Sequence, residues 1–172
     1  PHPEITPQVL DILDRFQAKA TFFCVGENVK KYPDTYQEIL RRGHRTGNHS
    51  YNHLKGWTTD SNIYFNNIEK AAELIDSNLF RPPYGKITPW QFRHLKKQYQ
   101  IVMWSVISYD FDASISPEQC LNNVINHSHP GTIAVFHDSE KSANNMLFAL
   151  PRYLETMRAI GYVFRSLENN TK

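Results

Sequence analysis

Helix-like and strand-like segments alternate along nearly the whole chain. Segments with apolar residues at a helical period separate short apolar runs that read as buried strands. This alternation predicts an α/β fold with parallel strands joined by right-handed crossovers. An open parallel sheet and a barrel both fit, and the small number of visible strands favours a distorted, incomplete barrel over a regular one. The predicted order is helix 5–17, strand 20–25, helix 34–42, strand 44–48, helix 61–79, helix 88–99, strand 100–108, helix 116–127, strand 133–136, helix 144–160 and strand 162–166. Thr6 and Pro7 are the expected cap and first-turn proline of the first helix.

The bulk properties exclude several classes of protein. A chain of 172 residues can bury one substantial core, so we predict a single domain over residues 1–172. With 19 Lys and Arg against 17 Asp and Glu, the charge does not indicate a nucleic-acid partner. The sequence shows neither a membrane-length apolar run nor the pattern of an export signal. Cys24 and Cys120 are too few for a disulfide scaffold.

Two histidines four residues apart, His49 and His53, are the first candidate metal ligands. On one turn of helix they would share a side, where both could bind the same ion. Spacing alone also fits two surface or capping histidines, and Ser50 between them is expected to cap the turn. The histidines without motif context are expected at the surface: His44, His94, His127 and His129. A third histidine, His137, follows the predicted strand 133–136, at the end of a strand where α/β proteins place their sites.

Polar residues follow several predicted strands and are expected to collect at one face. Neutral imidazoles bind zinc, cobalt, nickel or iron, whereas magnesium and calcium prefer oxygen ligands, so the pair indicates a transition metal that still needs a third ligand. A two-metal phosphatase is disfavoured because the chain shows no run of additional Asp and His ligands. The clusters are His49 with His53, Arg81 to Tyr84, Asp110, and His137 with Asp138.

Four motifs in order resemble motifs two to five of the polysaccharide deacetylases, carbohydrate esterase family 4. They are His49-Ser50-Tyr51-Asn52-His53, Arg81-Pro82-Pro83-Tyr84-Gly85, Trp104-Ser105-Val106-Ile107-Ser108-Tyr109-Asp110-Phe111 and Ile133-Ala134-Val135-Phe136-His137-Asp138-Ser139. The resemblance implies a distorted (β/α) barrel with a metal-dependent site. Such a site removes acetyl groups, usually from N-acetylglucosamine in chitin or peptidoglycan and sometimes from acetylxylan.

The resemblance also implies a role for each matching residue. His49 and His53 would bind the metal, with zinc as the default, and His137 would protonate the leaving amine. Asp110 would hold His137, and Arg81 would orient the catalytic base; a loop-capping Asp110 and a surface Arg81 are the alternatives. Substrate would contact Pro83, Tyr84 through its backbone N–H, Phe111 where the family often has Trp, and Val135 where Leu is usual. Ile107 occupies a position that the family often fills with Asp.

The family's first motif, Thr-Phe-Asp-Asp-Gly-Pro, is not matched. Its two carboxylates are the base and the third metal ligand, and the chain opens on Pro1-His2-Pro3-Glu4, which resembles the segment that follows the motif's glycine. We therefore interpret the sequence as lacking its first strand. Glu4 is a poor substitute for either carboxylate.

The expected function is metal-dependent hydrolysis of acetyl amides on a polysaccharide or oligosaccharide. The alternatives are O-deacetylation of acetylxylan and a catalytically inactive, carbohydrate-binding domain that keeps the fold. Family resemblance places such substrates outside the cytoplasm or in the cell envelope. The sequence does not identify the glycan, the metal or the oligomeric state.

Overall fold

The computed structural model describes residues 1–168. The chain forms two compact units: the first contains Pro1, Thr21–Met103 and the described residues from Ser166 onward, and the second contains His2–Ala20 and Trp104–Arg165. In chain order the helices and strands are α1 (Ile5–Arg15), β1 (Thr21–Cys24), α2 (Gly26–Lys31), α3 (Pro33–Arg41), β2 (Arg45–Asn48), α4 (Ser61–Ala72), β3 (Leu79–Phe80), α5 (Pro89–Leu95), β4 (Gln100–Ile101), β5 (Val106–Ile107), α6 (Pro117–Ile125), β6 (Ala134–Val135) and α7 (Glu140–Ala159).

The first unit is built on a four-stranded parallel sheet in the order β1-β2-β3-β4. Helix α4 supplies much of its core, and Asp60 caps the helix by accepting from the N–H groups of Asn62 and Ile63. Helix α5 begins with a capping box formed by Thr88 and Gln91. The buried core cluster contains Tyr64, Phe65, Ile68, Phe80 and Leu95.

The second unit has a two-stranded parallel sheet, β5 with β6, and the helices α1, α6 and α7. Helix α6 begins with a capping box formed by Ser116 and Gln119, and it packs on α7. Its Cys120 is fully buried, and burial raises the pKa of this thiol to about 11. The α/β class with parallel strands is therefore confirmed in both units, and neither sheet closes on itself.

The predicted strand 100–108 is wrong as a single element. Its first part is β4, in the first unit's sheet, and its last part is β5, in the second unit's sheet. Between them the guanidinium of Arg81 donates to the carbonyls of Val102, at 3.2 Å, and Met103, at 3.1 Å. A carbonyl that accepts from a side chain is less available to a neighbouring strand, so strand pairing ends there.

The predicted helix 61–79 is too long. Helix α4 ends at Ala72, and Leu79 lies in β3. The hydroxyl of Ser77 anchors the segment between α4 and β3, because it donates to the carbonyl of Thr46 and accepts from the N–H of Leu79. The longest helix is instead α7, which starts at Glu140 rather than at residue 144.

Three smaller predictions also need correction. Residues 162–166 form no strand. The N–H of Lys19 donates a hydrogen bond to the carbonyl of Phe164 in this segment. Thr6 does not cap α1, since its hydroxyl donates to Asp138 at 2.5 Å. Helix α2 was not predicted, because a short polar segment after Gly26 carries little apolar periodicity. Across residues 1–168, no helix has both the length and the apolar character needed to cross a bilayer.

Gly47 is required by the close approach of β1 and β2. A Cβ built at this position would lie 2.6 Å from the ring of Phe23. We expect Gly47→Ala to lower the free energy of unfolding by about 1–3 kcal/mol, since the ring has to move. Chemical denaturation measures this loss, and combining Gly47→Ala with Phe23→Leu should recover part of it. Purely additive effects would contradict the packing explanation.

Candidate active site

His49 and His53 lie in the loop that follows β2, and their ring centroids are 4.9 Å apart with the planes inclined at 66°. The prediction that they come together is confirmed, but the helical turn assumed for them is wrong. The backbone leaves the helical region, with φ of 62° at Ser50 and 60° at His53. Left-handed residues other than glycine are uncommon, so this loop is a strained segment that the surroundings must hold.

Two asparagines hold the loop in place. The side-chain oxygen of Asn67, on α4, accepts from the N–H groups of Tyr51 at 2.9 Å and Asn52 at 3.3 Å, and its amide donates to the Asn52 side chain at 2.8 Å. Asn48 accepts from the N–H of Ser50 at 2.8 Å. Ser50 was expected to cap this turn, but its buried hydroxyl has no hydrogen-bond partner among the described residues. Asn48 performs that role because its longer side chain reaches two residues ahead.

The ring of His49 is oriented by the backbone of Arg81. Its Nδ1 lies 2.7 Å from the Arg81 carbonyl oxygen. A carbonyl can only accept, so Nδ1 carries the hydrogen and Nε2 is the nitrogen that would bind a metal ion. Histidine ligands are commonly fixed in this way.

The side chain of Arg81 is buried rather than on the surface. Besides its bonds to the Val102 and Met103 carbonyls, its guanidinium carbon lies 4.1 Å from the centroid of the Phe23 ring. Burial lowers the pKa of Arg81 to about 10, so the group still carries its charge at neutral pH. The alternative of an ordinary surface arginine is therefore wrong. Its predicted role in orienting a carboxylate base stays a prediction.

Pro83 and Tyr84 form a short 3-10 turn after β3, with Pro83 buried. Tyr84 has a φ of 59°, and its side chain is 59% exposed. Its ring centroid lies 4.6 Å from that of His53, so the aromatic ring forms one wall beside the histidine pair. The predicted contacts of these two residues with substrate stay predictions.

In the second unit, Asp110 and His137 form a closely bonded pair. The Nδ1 of His137 lies 2.7 Å from one carboxylate oxygen of Asp110, and the His137 backbone N–H donates to the other oxygen at 2.7 Å. Asp110 is buried, whereas His137 is partly exposed. The carboxylate therefore holds both the backbone and the ring of His137, as predicted from the motifs, and the loop-cap alternative describes only part of its role.

Of the apolar residues predicted to contact substrate, Phe111 lies beside His137 and Val135 lies in a strand. The Phe111 ring lies 5.1 Å from that of His137 and is nearly perpendicular to it, at 89°. Val135 is buried on β6 and pairs with Ile107. His44, expected at the surface together with His94, His127 and His129, is also buried, and its ring packs edge-on against Phe22.

The comparisons with known proteins identify the family. Residues 1–103 match the model for polysaccharide deacetylase. The chain belongs to the polysaccharide deacetylase family. It is 36% identical to a peptidoglycan-N-acetylglucosamine deacetylase of Bacillus cereus over 146 residues, which is 81% of this chain and 53% of that protein, so it spans about half the length of this relative.

Solved structures share the fold. The crystal structure of a peptidoglycan N-acetylglucosamine deacetylase bound to a hydroxamate, 4-naphthalen-1-yl-N-hydroxybenzamide, matches with a TM-score of 0.92 and 31% identity, covering 97% of this chain and 81% of that one. A family pseudoenzyme from Bacillus anthracis matches with a TM-score of 0.85 and 26% identity, covering 95% of this chain and 59% of that one. Parallel α/β architecture of the deacetylase type is thus shown for this family member.

The first unit of this chain offers residues for two positions of a metal site. The neighbouring rings of His49 and His53, one with a fixed tautomer, suit two nitrogen ligands of a transition metal. Within residues 1–168, no cluster of three or more His, Cys, Asp or Glu side chains is placed to bind an ion. The residues present therefore fit part of the site, and the expected acidic ligand is not among them.

Sequence reasoning missed Asn67 and the strained residues. Asn67 lies in a helix that reads as an ordinary amphipathic segment, and only the folded chain shows its amide facing the His49 loop. The positive φ angles at Ser50, His53, Tyr84 and Tyr109 carry no sequence signal, because none of these residues is glycine or asparagine. All four belong to the motifs, whereas Gln17, with a φ of 53° just after α1, does not.

Replacing Asn67 tests what holds the histidine loop. We expect Asn67→Ala to lower the free energy of unfolding by about 1–2 kcal/mol and to weaken binding of Zn²⁺ by about tenfold. Denaturation and isothermal titration calorimetry measure the two effects. The adjacent, exposed Asn66 provides the matched control, Asn66→Ala, which should change neither. Unchanged Zn²⁺ binding in Asn67→Ala would show that the loop is held by other contacts.

Proposed function

We propose that this chain is the catalytic part of a metal-dependent hydrolase that removes acetyl groups from a polysaccharide, with N-acetylglucosamine in peptidoglycan or chitin as the substrate unit. The observation that carries the proposal is the pair of 2.7 Å bonds from His137 to the buried carboxylate of Asp110. A histidine held in this way by a carboxylate is the arrangement that a proton donor to a leaving group requires. Membership of the polysaccharide deacetylase family supports the reaction class.

The chemistry assigned to His137 follows from its hydrogen bonds. Because Nδ1–H points to Asp110, the proton available to a substrate is the one on Nε2 of the charged imidazole. Hydrolysis adds the oxygen of a water molecule to the acetyl carbonyl carbon, and the water proton would pass to the carboxylate base that the family's first motif supplies. The carbon–nitrogen bond then breaks. The departing amine takes the Nε2 proton, and acetate is released. Asp110 holds the ring in place during this transfer, because its carboxylate accepts from Nδ1–H and from the backbone N–H of His137.

His49 and His53 would hold the divalent metal, with zinc as the default. When bound, such an ion supplies a polarised carbonyl and a water molecule of lowered pKa. The tautomer fixed by the Arg81 carbonyl presents Nε2 of His49 for this purpose. The proposal requires the histidine pair and His137 to serve one substrate, and it therefore treats residues 1–172 as one functional domain.

The substrate class is inferred from the relatives. The Bacillus cereus protein and the best-matching structure described above are both named peptidoglycan N-acetylglucosamine deacetylases. An acetylated cell-wall polysaccharide or oligosaccharide is therefore the proposed partner, and action outside the cytoplasm is the proposed location. O-Deacetylation of acetylxylan is the main alternative reaction.

A silent, glycan-binding domain is the second candidate function. The match to a family pseudoenzyme shows that this fold also occurs without activity. Glycan binding without acetate release would identify this second function.

The proposed function is tested most directly by adding the two carboxylates of the family's first motif. We expect weak or no acetate release from chitin oligomers by residues 1–172 alone. Release should appear when a strand-length segment ending in Thr-Phe-Asp-Asp-Gly is fused directly before Pro1. A fusion ending in Thr-Phe-Asn-Asn-Gly is the matched control, and both a chelator and His53→Ala should abolish the gain. Peptidoglycan and acetylxylan, assayed in parallel, identify the acetyl linkage. Equal release by both fusions would refute the metal mechanism.

The role of Asp110 is tested in the active fusion by Asp110→Asn, which keeps the shape of the side chain. We expect kcat to fall by about 10²- to 10⁴-fold, since an amide has one acceptor atom where the carboxylate uses two, one for the ring and one for the backbone N–H of His137. Asp112→Asn is the control: within residues 1–168 the Asp112 carboxylate accepts hydrogen bonds only from Ser114, and we expect less than about a twofold change. Similar losses in both variants would show a structural rather than a catalytic effect.

A further inference from the structure

Four residues of α5 and the turn after it form an exposed face of aromatic and cationic side chains. Trp90, Arg93, His94 and Lys97 are spaced at i, i+3, i+4 and i+7, which places them on one side of a helix. They line a cleft of about 320 Å³. We call this the α5 face, and it lies wholly within the first unit.

The aromatic rings of this face are held in place from below. The buried ring of Phe65 stacks on His94, with centroids 4.3 Å apart and planes inclined at 19°, and it also contacts Trp90 at 5.2 Å. Trp90 and His94 are themselves 5.8 Å apart with an inclination of 23°. Trp90 nevertheless remains 55% exposed. A large apolar ring that is ordered by its neighbours and still faces solvent is suited to stacking on a flat ligand.

The cations of the α5 face lack internal partners. Neither Arg93 nor Lys97 forms an ion pair or a side-chain hydrogen bond with any residue in the part of the chain that the structure describes. The segment 86–98 carries Lys86, Arg93, Lys96 and Lys97 and contains no Asp or Glu, although the whole chain has a net charge of only +2. Positive charge is therefore concentrated here and is not neutralised locally, which favours an anionic ligand.

We propose that the α5 face is a second binding site, separate from the histidine motifs, for a saccharide unit that bears a carboxylate or a phosphate. Trp90 would stack on the sugar ring, and Arg93 and Lys97 would pair with its anionic group. The cleft is of the size expected for a small ligand. The preference for a glycan over a nucleic acid rests on the proposed function, whereas the stacking ring and the unpaired cations do not depend on it.

Such a site would keep the protein on an acidic polysaccharide while the acetyl groups are processed elsewhere on the chain. Two weak contacts on one polymer raise the effective concentration of the second contact. Removing the α5 face should therefore weaken action on a charged polymer and spare action on a short neutral oligomer.

Binding is tested with three defined probes: polygalacturonate, a carboxylated sugar polymer; chitohexaose, a neutral sugar; and polyglutamate, a polyanion without sugar. We expect polygalacturonate to quench tryptophan fluorescence and to bind at least about tenfold more tightly than either other probe at low salt. Affinity should fall as salt is raised. Trp90→Ala and Arg93→Ala/Lys97→Ala should each weaken binding about tenfold.

The matched control is Lys30→Ala, which removes an exposed charge from α2 in the same unit and should bind as the unchanged chain does. Equal binding of polyglutamate, tighter binding of single-stranded DNA, or unchanged binding by Trp90→Ala would overturn the proposal. The two proposals are separated by measuring acetate release from chitohexaose in the same variants of the Asp-Asp fusion. Acetate release should survive Trp90→Ala. If no variant, nor the unchanged fusion, releases acetate, the result counts against the proposed function and not against the α5 face.

Discussion

The main chain and side chain of Arg81 connect three strands of the first unit at the end where the motifs lie. Its N–H donates to the carbonyl of Asn48 at the end of β2, its carbonyl fixes the His49 ring, and its guanidinium holds the carbonyls after β4. A buried cation is costly unless its donors are satisfied, so this geometry is strongly determined by the fold. The same contacts orient a candidate metal ligand and end a strand, which links the shape of the sheet to the chemistry of its edge.

The two key histidines are fixed through the same ring atom but by different acceptors. Nδ1 of His49 donates to a neutral carbonyl, whereas Nδ1 of His137 donates to a carboxylate. The carbonyl leaves Nε2 of His49 with a lone pair, which suits the proposed metal ligand. The carboxylate anchors both the ring and the backbone of His137 and leaves its Nε2 available, which suits the proposed proton donor.

Much of this arrangement was predictable from the sequence, because the alternation of apolar runs and the ordered motifs are local signals. The class of fold and the proximity of His49 to His53 follow from them, and the pairing of Asp110 with His137 follows from the resemblance to the family's motifs. The break inside 100–108 was not predictable, since the run is mostly apolar and the arginine that binds its carbonyls is distant in sequence. The anchoring of Ser77 before β3 and the support from Asn67 likewise depend on partners far away in sequence. Tertiary hydrogen bonds, and not propensity, decide these details.

The asparagine bonds around the His49 loop have a consequence for how ligands are acquired. Because Asn48 and Asn67 tie the loop to the sheet and to α4, its conformational entropy is lost when the chain folds and not when an ion arrives. For the metal ion proposed to bind here, preorganisation of this kind would lower the entropic cost of binding and require little rearrangement of the protein. Exchange of one metal for another would then depend on the coordination preference and the concentration of each metal, with little change in the conformation of the protein.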